Sequence, residues 1–407
     1  LIQQLRGAQD ELEWLAPWLL LAEPPAGLGS FPAELTAAAG LPTLRGLASL
    51  DGALCPRVRA RLDDETAPAR RAWLEAFLRS LAEGSARARD RLSALEALAR
   101  RAGAMACMDY EFLYDAPRHL LRIGYSVQER RADASCYDLL ASEARLACFV
   151  GIAQGALPKD SWFALGRLLT RVGGDPVLLS WSGSMFEYLM PQLVMPAYAH
   201  TLLDQTCRAA VARQIDYGRQ RGVPWGMSES AYNSVDVQLN YQYRAFGVPG
   251  LGLKRGLADD LVVAPYASAL ALMVVPAEAC ANLRRLAAEG FAGRFGFYEA
   301  IDYTPARQRR GQARVVVRAF MAHHQGMSLL ALAWLLRDRP MQRRFESERR
   351  FQAVMPLLQE RIPRAAALFA HSVELSGLRA QAAPLGMPQR LFDTPETPTP
   401  EVQLLSN

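Results

Sequence analysis

The 407-residue sequence has no CxxC pair, no uninterrupted apolar run of about 18 residues, no block of like charge and only five histidines. Each gap closes off a class of function. Six cysteines (Cys55, Cys107, Cys136, Cys148, Cys207, Cys280) stand far apart, mostly in apolar helical settings, and read as reduced core thiols in a reducing compartment. The closest approach to a membrane span, Pro176 to Leu203, is broken by Glu187 and three prolines, so no span is expected. No signal peptide is visible. The net charge of +5 comes from basic residues mixed with acidic ones along the same segments, which describes solvated faces and not a nucleic-acid track. His323 and His324 are adjacent, so they are not expected to face one point, and no acid or histidine stands at ligand spacing beside them. Neither a metal nor any other cofactor is expected. Gly247–Gly252 mimics part of a phosphate loop but lacks the strand before it and the GK[ST] after it, and no GxSxG elbow is present.

What is present is a globular composition, 51% apolar and 21% charged, in a chain long enough to bury a sizeable core. It begins with Leu1 in a helical pattern and ends, over Asp393–Asn407, in a Pro- and Thr-rich stretch like a linker, and so reads as a piece of a longer polypeptide. Residues 1–104 form a helical lead-in with evenly mixed charges, and Ala69–Arg101 is one long candidate helix. From Met105 to about residue 364 charge thins and aromatics concentrate. Helices are expected over Tyr137–Gln154, Trp162–Val172, Met185–Val194, Leu202–Arg221, Leu257–Met273, Ala277–Glu289 and Ala313–Arg337. Extended pieces are expected at Leu121–Val127, Val237–Phe246 and Arg294–Tyr298. Val315–Leu336 is apolar nearly all round, and a helix without a polar face must be surrounded by protein. The expected fold is therefore all-α, a double ring of inner and outer helices with short β-hairpins in its loops. Residues 365–407 read as a C-terminal extension and linker to a following domain.

The chemistry is expected where acids stand alone. Glu187 is the only charged side chain between Asp175 and Asp204, in a turn that begins at Trp181; Glu229 follows Trp225 and Gly226; Glu299 follows Gly296, Phe297 and Tyr298. A carboxyl among aromatic neighbours is costly to bury unless paired or protonated, and a raised pKa is what one of the two acids of a glycosidase needs. Aromatic rings beside it serve as platforms for sugar faces, and Trp-Gly turns bring ring and backbone close to such a ligand. A lone glutamate serves as well to cap a helix or pair with an arginine such as Arg244. In Tyr137–Arg145, Asp138 and Glu143 share a helix face only if Asp138 is the cap, in which case Glu143 is the inward acid and Arg145 a surface ion-pair partner.

YDLLASEAR (137–145), SWSGSMFEYLMP (180–191), VPWGMSESAYN (223–233), YQYRAFGVPGLGLKRGL (241–257), GFYEAIDYTPAR (296–307) and FMAHHQGMSLLAL (320–332) occur in this order. Together they resemble the central glycoamylase-like domain of bacterial cyclic β-1,2-glucan synthases. The resemblance implies an (α/α)6 barrel and a retaining transglycosylation in which a linear β-1,2-glucan closes into a ring. Carried onto the matching motifs it implies Glu229 as nucleophile and Glu143 as general acid/base. Asp138, Glu187, Glu299, Trp181, Trp225, Tyr232, Tyr298, His323, His324 and Gln325 would then shape the sugar subsites. It implies other domains of the same synthase as partners, on the cytoplasmic side of the inner membrane. One departure is Asp160-Ser161-Trp162, where the resemblance implies a histidine before the tryptophan; a subsite contact is in question there. Retention requires carboxyls about 5 to 5.5 Å apart, and an inverting endo-β-1,2-glucanase would hold them about 6.5 to 9.5 Å apart. A glucoamylase-type hydrolase and a non-catalytic glucan-binding module that sets chain length are the other readings.

Overall fold

The structure, a computed structural model, describes residues 2–28, 31, 43–363 and 368. The expected C-terminal extension over 365–407, apart from Leu368, lies outside the described residues. The chain divides into two compact units, Leu1–Met108 and Asp109–Asn407.

The first unit is helical: α1 (Ile2–Leu15), α2 (Leu44–Asp63) and α3 (Pro68–Ala106). Thr43 caps α2 by accepting the Gly46 N–H at 3.1 Å, and Pro68 opens α3 where its missing N–H costs nothing. Leu50, Leu54 and Val58 of α2 recur every three to four residues and meet Leu74, Phe77 and Leu81 of α3 in this unit's own core.

The second unit begins with small sheets. Strands β1 (Tyr114–Asp115) and β2 (Leu120–Arg122), the hairpin β3 (Tyr125–Ser126) and β4 (Arg131–Ala132), and β5 (Cys136–Tyr137), which pairs with β2, lead into α4 (Ala144–Ala153). There follow α5 (Asp160–Ala164), the hairpin β6–β7 (Leu169–Val172, Asp175–Leu178), α6 (Met185–Leu189) and α7 (Leu202–Arg221). The hairpin β8–β9 (Ser230–Val235, Tyr241–Arg244) precedes β10 (Val262–Val263), α8 (Pro265–Leu270) and α9 (Pro276–Ala288). A hairpin β11–β12 (Ala292–Gly293, Gly296–Phe297), β13 (Ala300–Asp302) and β14 (Val315–Val317) lead to α10 (Ala322–Leu336), α11 (Pro340–Ser347) and α12 (Arg349–Val354). The sheet order is β10–β13–β14, all antiparallel. Phe149 of α4 anchors the core, its ring against Trp162, Phe345 and Phe351.

Several expected helices are shorter or are strands. Tyr137–Gln154 is helical only from Ala144, with Glu143 at the N-cap position, so Asp138 is not the cap. Leu169–Val172 pairs in a hairpin instead of extending α5. Val262–Val263 is a strand, and the helix expected there starts at Pro265. Val315–Val317, three β-branched residues in a row, pairs with Ala300–Asp302. The expectation that Val315–Leu336 is enclosed on every side is overturned. Only His324, Met327 and Ala331 of α10 are buried, while Leu329 and Leu336 are 67% and 73% exposed among the described residues. The buried stripe runs at helical spacing through a histidine, so the leucines, which suggested enclosure, face outward. Arg145 is also not at the surface: it is 3% exposed and donates to the carbonyls of Ser142 (3.0 Å), Glu187 (3.0 Å) and Tyr188 (2.6 Å). A guanidinium has five N–H groups in a planar fork, which suits it to gather three carbonyls in a buried corner.

The Gly247–Gly252 run is a packing device. A Cβ on Gly247 would collide with the carbonyl of Ser182, and one on Gly252 would lie 2.5 Å from the same carbonyl carbon. The two glycines let this segment lie against the Trp181–Ser184 turn, where Ser180 N–H donates to Leu251 O (3.0 Å) and Lys254 N–H to Trp181 O (2.8 Å).

Candidate active site

Glu187 shows how the sequence builds the floor of the site. Ser180, Ser182 and Ser184 precede α6, and the Ser184 hydroxyl and Glu187 form a reciprocal capping box. The carboxylate also accepts the Ser180 hydroxyl (3.0 Å), the Ser182 N–H (3.0 Å), the Ser184 N–H (3.0 Å) and the Ser182 hydroxyl. With so many donors turned on it, the Glu187 charge is satisfied inside the protein. These contacts hold the Trp181 turn in place. On that turn Trp181 is 51% exposed and donates its indole N–H to Asp138 at 2.7 Å.

Glu143 and Glu229 come together beside this floor. Glu143 stands at the start of α4 and Glu229 just before β8. The Glu229 backbone is fixed by its carbonyl, which accepts the Tyr266 hydroxyl at 3.0 Å, while Tyr266 shares a 2.7 Å hydrogen bond with Ser228. Burial raises the Glu143 carboxyl above its usual range, partly offset by its own backbone N–H and the Ser142 hydroxyl at 3.1 Å. Burial, then the charges of Glu143 and Glu187, push Glu229 up to about 7. Neither carboxyl is in an ion pair among the described residues. The Glu143 charge is among the causes that raise Glu229, so the two carboxyls stand near one another, as an acid-and-nucleophile pair requires.

Glu299 is taken up differently. It is 2% exposed and binds His324 Nδ1 at 2.9 Å and the Ala231 N–H at 3.3 Å. Arg244, an alternative partner for a stranded acid, instead pairs with Asp260 at 3.2 Å. The expectation for the adjacent histidines is corrected: Nε2 of His323 and of His324 lie 3.5 and 3.2 Å from the same Tyr243 hydroxyl. Successive residues diverge by about 100° at the start of α10, yet the two ring centroids lie 4.1 Å apart and both rings reach the same hydroxyl. His324 is sandwiched by Tyr266, centroids 3.7 Å apart.

The remaining expected contacts scatter. Trp225 is buried, its backbone clamped by Asn282 (2.7 and 3.3 Å), so its ring belongs to the core. Gly226, at φ +123°, packs against Ala264, Ala267 and Ser268, so this Trp-Gly turn serves helix packing. Tyr232 lies edge-on to Phe246 with the Arg307 guanidinium 5.0 Å from its ring, which leaves little face for a sugar. Tyr298 and Gln325 line a cavity of about 210 Å³ together with Glu299, His324, Phe297 and Leu329. Ser161, at the departure from the expected motif, is buried, and its hydroxyl has no partner among the described residues. Tyr137, Tyr243 and Tyr266 are site residues that the search for isolated acids passed over. Burial raises each phenol, and Glu229 adds to all three. The alternation Tyr241-Gln-Tyr243 was the available signal for Tyr243, since it puts two tyrosines on one face of a strand.

Two desolvated carboxyls near one another, Glu143 and Glu229, are a combination that carbohydrate-active proteins use. Residues 136–349 match the family model Glycoamylase, described as "Putative glucoamylase", and the chain belongs to that family. It is 46% identical over 301 residues to the cyclic beta-(1,2)-glucan synthase NdvB of Rhizobium meliloti (strain 1021). That match takes in 74% of this chain and spans 11% of the relative's length. Two solved structures of an endo-beta-1,2-glucanase from Talaromyces funiculosus, a mutant with beta-1,2-glucan and a complex with sophorose, align at TM-scores of 0.42 and 0.41. Both are 13% identical, over 80% of this chain and 67% of that one.

Proposed function

We propose that this chain carries a glycosidase-type site that acts on β-1,2-glucan by retaining transglycosylation, closing a linear chain into a ring as part of a larger synthase. The observation that carries the reading is the Glu143–Glu229 pair, two desolvated carboxyls of which Glu143 helps to raise Glu229. In the reaction Glu229 attacks the anomeric carbon as Glu143 protonates the departing glycosidic oxygen. Glu143 then takes the proton from the glucan hydroxyl that resolves the intermediate. Trp181, steered by Asp138, supplies an exposed ring for a sugar face, and His324, Gln325 and Tyr298 line a neighbouring cavity with Glu299. The identity to a named cyclic glucan synthase favours this substrate over starch. In this reading the (α/α)6 barrel extends over 105–364, and the chain works on the cytoplasmic side of the inner membrane beside other domains of the synthase. Among the described residues no helix is long and apolar enough to cross a membrane.

Glu229→Gln and Glu143→Gln, assayed with linear β-1,2-glucan, test the catalytic reading. Each should remove turnover by at least about 10³-fold while calorimetry still detects glucan binding. Ring formation that survives both substitutions would make the chain a glucan-holding module.

A further inference from the structure

Over its later turns α7 buries Ala210, Val211, Tyr217 and Gly218, and among them the side-chain amide of Gln214, which is 1% exposed. An amide in that setting is costly unless both of its ends are hydrogen-bonded. Gln214 turns both ends on one residue. Its Oε1 accepts the Met227 N–H at 2.8 Å, and its Nε2 donates to the Met227 carbonyl at 2.7 Å. One helical turn further on, a Cβ on Gly218 would lie 2.8 Å from the Trp225 Cβ. Glycine there lets the helix come close to the stretch that Gln214 holds.

Met227 is two residues before Glu229, and the residues that follow are also held by side chains. The Ser228 hydroxyl accepts the Phe186 N–H at 3.0 Å. Tyr266 gives its proton to the Glu229 carbonyl at 3.0 Å, so the 2.7 Å contact between the two hydroxyls is a donation from Ser228 to Tyr266. Beyond Glu229, the Ala231 N–H is taken by the Glu299 carboxylate at 3.3 Å. Glu229 therefore leaves the backbone between fixed points on α7, α8 and the loop before β13. The α7 point is the firmest, because a planar amide that grips both the N–H and the carbonyl of one residue fixes its direction as well as its distance.

We propose that Gln214 is a positioning residue for Glu229: from α7 it pins the backbone at Met227 and so sets where the Glu229 carboxyl stands in the site. The inference rests on the reading of Glu229 as a working carboxyl. A reacting group displaced by about 1 Å costs about 100-fold in rate, so a grip two residues away bears on turnover although it touches no sugar.

The test uses the full chain and linear β-1,2-glucan, at a temperature where every variant is folded. Gln214→Met keeps the length of the side chain and removes both hydrogen bonds; it should lower kcat about 10- to 100-fold with little change in KM. The comparison is with Phe345→Leu or Phe345→Ala in α11, whichever lowers the melting temperature as far, and that variant should keep its kcat. Gln214→Glu supplies the conservative rescue. A protonated carboxyl has one donor and one acceptor, as the amide does, so its kcat relative to wild type should be near one at acid pH and fall as pH rises. A kcat in Gln214→Met no lower than in the Phe345 control overturns the proposal and leaves Gln214 a contributor to stability alone. If Gln214→Met does not fold, a ratio for Gln214→Glu that is flat with pH overturns it instead. If wild-type protein does not process β-1,2-glucan, the functional reading fails and carboxyl ¹³C NMR decides the positioning. The Glu229 midpoint, about 7 in wild type, should then fall by about 0.5 pH unit or more in Gln214→Met as the carboxyl leaves its buried place, and an unchanged midpoint overturns the proposal.

Discussion

Glu229 and Glu143 differ in what surrounds them more than in how deeply they lie. Glu143 has its own N–H and the Ser142 hydroxyl to accept, and Glu229 faces two other carboxylates. That asymmetry affects stability as well as reaction. A carboxyl raised in the folded state binds its proton more tightly there than in the unfolded chain. Its contribution is therefore full at low pH and is lost as pH rises through the folded value. Relative to Glu229→Gln, the wild-type melting temperature should fall between about pH 4.5 and 7, measured by calorimetry at constant ionic strength. A constant difference across that range would mean Glu229 is not desolvated. The division of labour is open to azide rescue. In a retaining β-glycosidase, azide should restore turnover of an activated β-glucoside by the Glu229 variant with an inverted azide product, and by the Glu143 variant with a retained one. The opposite pattern, read by proton NMR, exchanges the two roles.

At the scale of elements, the site depends on how the Trp181 turn is held. Glu187 caps α6, gathers three serines and lies against the segment made close by Gly247 and Gly252. Glu187→Ala would leave several of those donors unsatisfied and should cost about 2 to 4 kcal/mol in urea unfolding. Gly247→Ala should destabilise as well, and should reduce glucan binding because the turn that carries Trp181 must move. A Gly247→Ala protein of wild-type stability and affinity would contradict this packing account. The same elements mark how far the sequence could be read. Isolation of charge singled out Glu187, Glu229 and Glu299, because a lone acid in an apolar stretch is visible without coordinates. It could not tell a capped carboxylate from a free one, since that depends on where three serine hydroxyls point. Glu143 lacked the aromatic signature and came only through its motif. The strands at Val262–Val263 and Val315–Val317 were hidden in apolar runs too short for periodicity to separate helix from sheet. Leu329 and Leu336 suggested enclosure for α10, whereas its buried stripe is set by His324, whose polarity is compensated by Glu299.

For the whole molecule, a helical unit of its own core precedes the unit that carries every candidate site residue. The chain spans 11% of a much longer relative, so its activity as a separate protein is itself informative. The most direct measurement is to incubate the protein with linear β-1,2-glucan and follow reducing ends while separating the products by chromatography and mass. The account predicts cyclic β-1,2-glucan, 18 Da lighter than the linear chain of equal length, with reducing ends retained on the released fragments and no reaction on starch. Inert β-1,2-glucan in the presence of folded protein, or cleavage of starch instead, would contradict it.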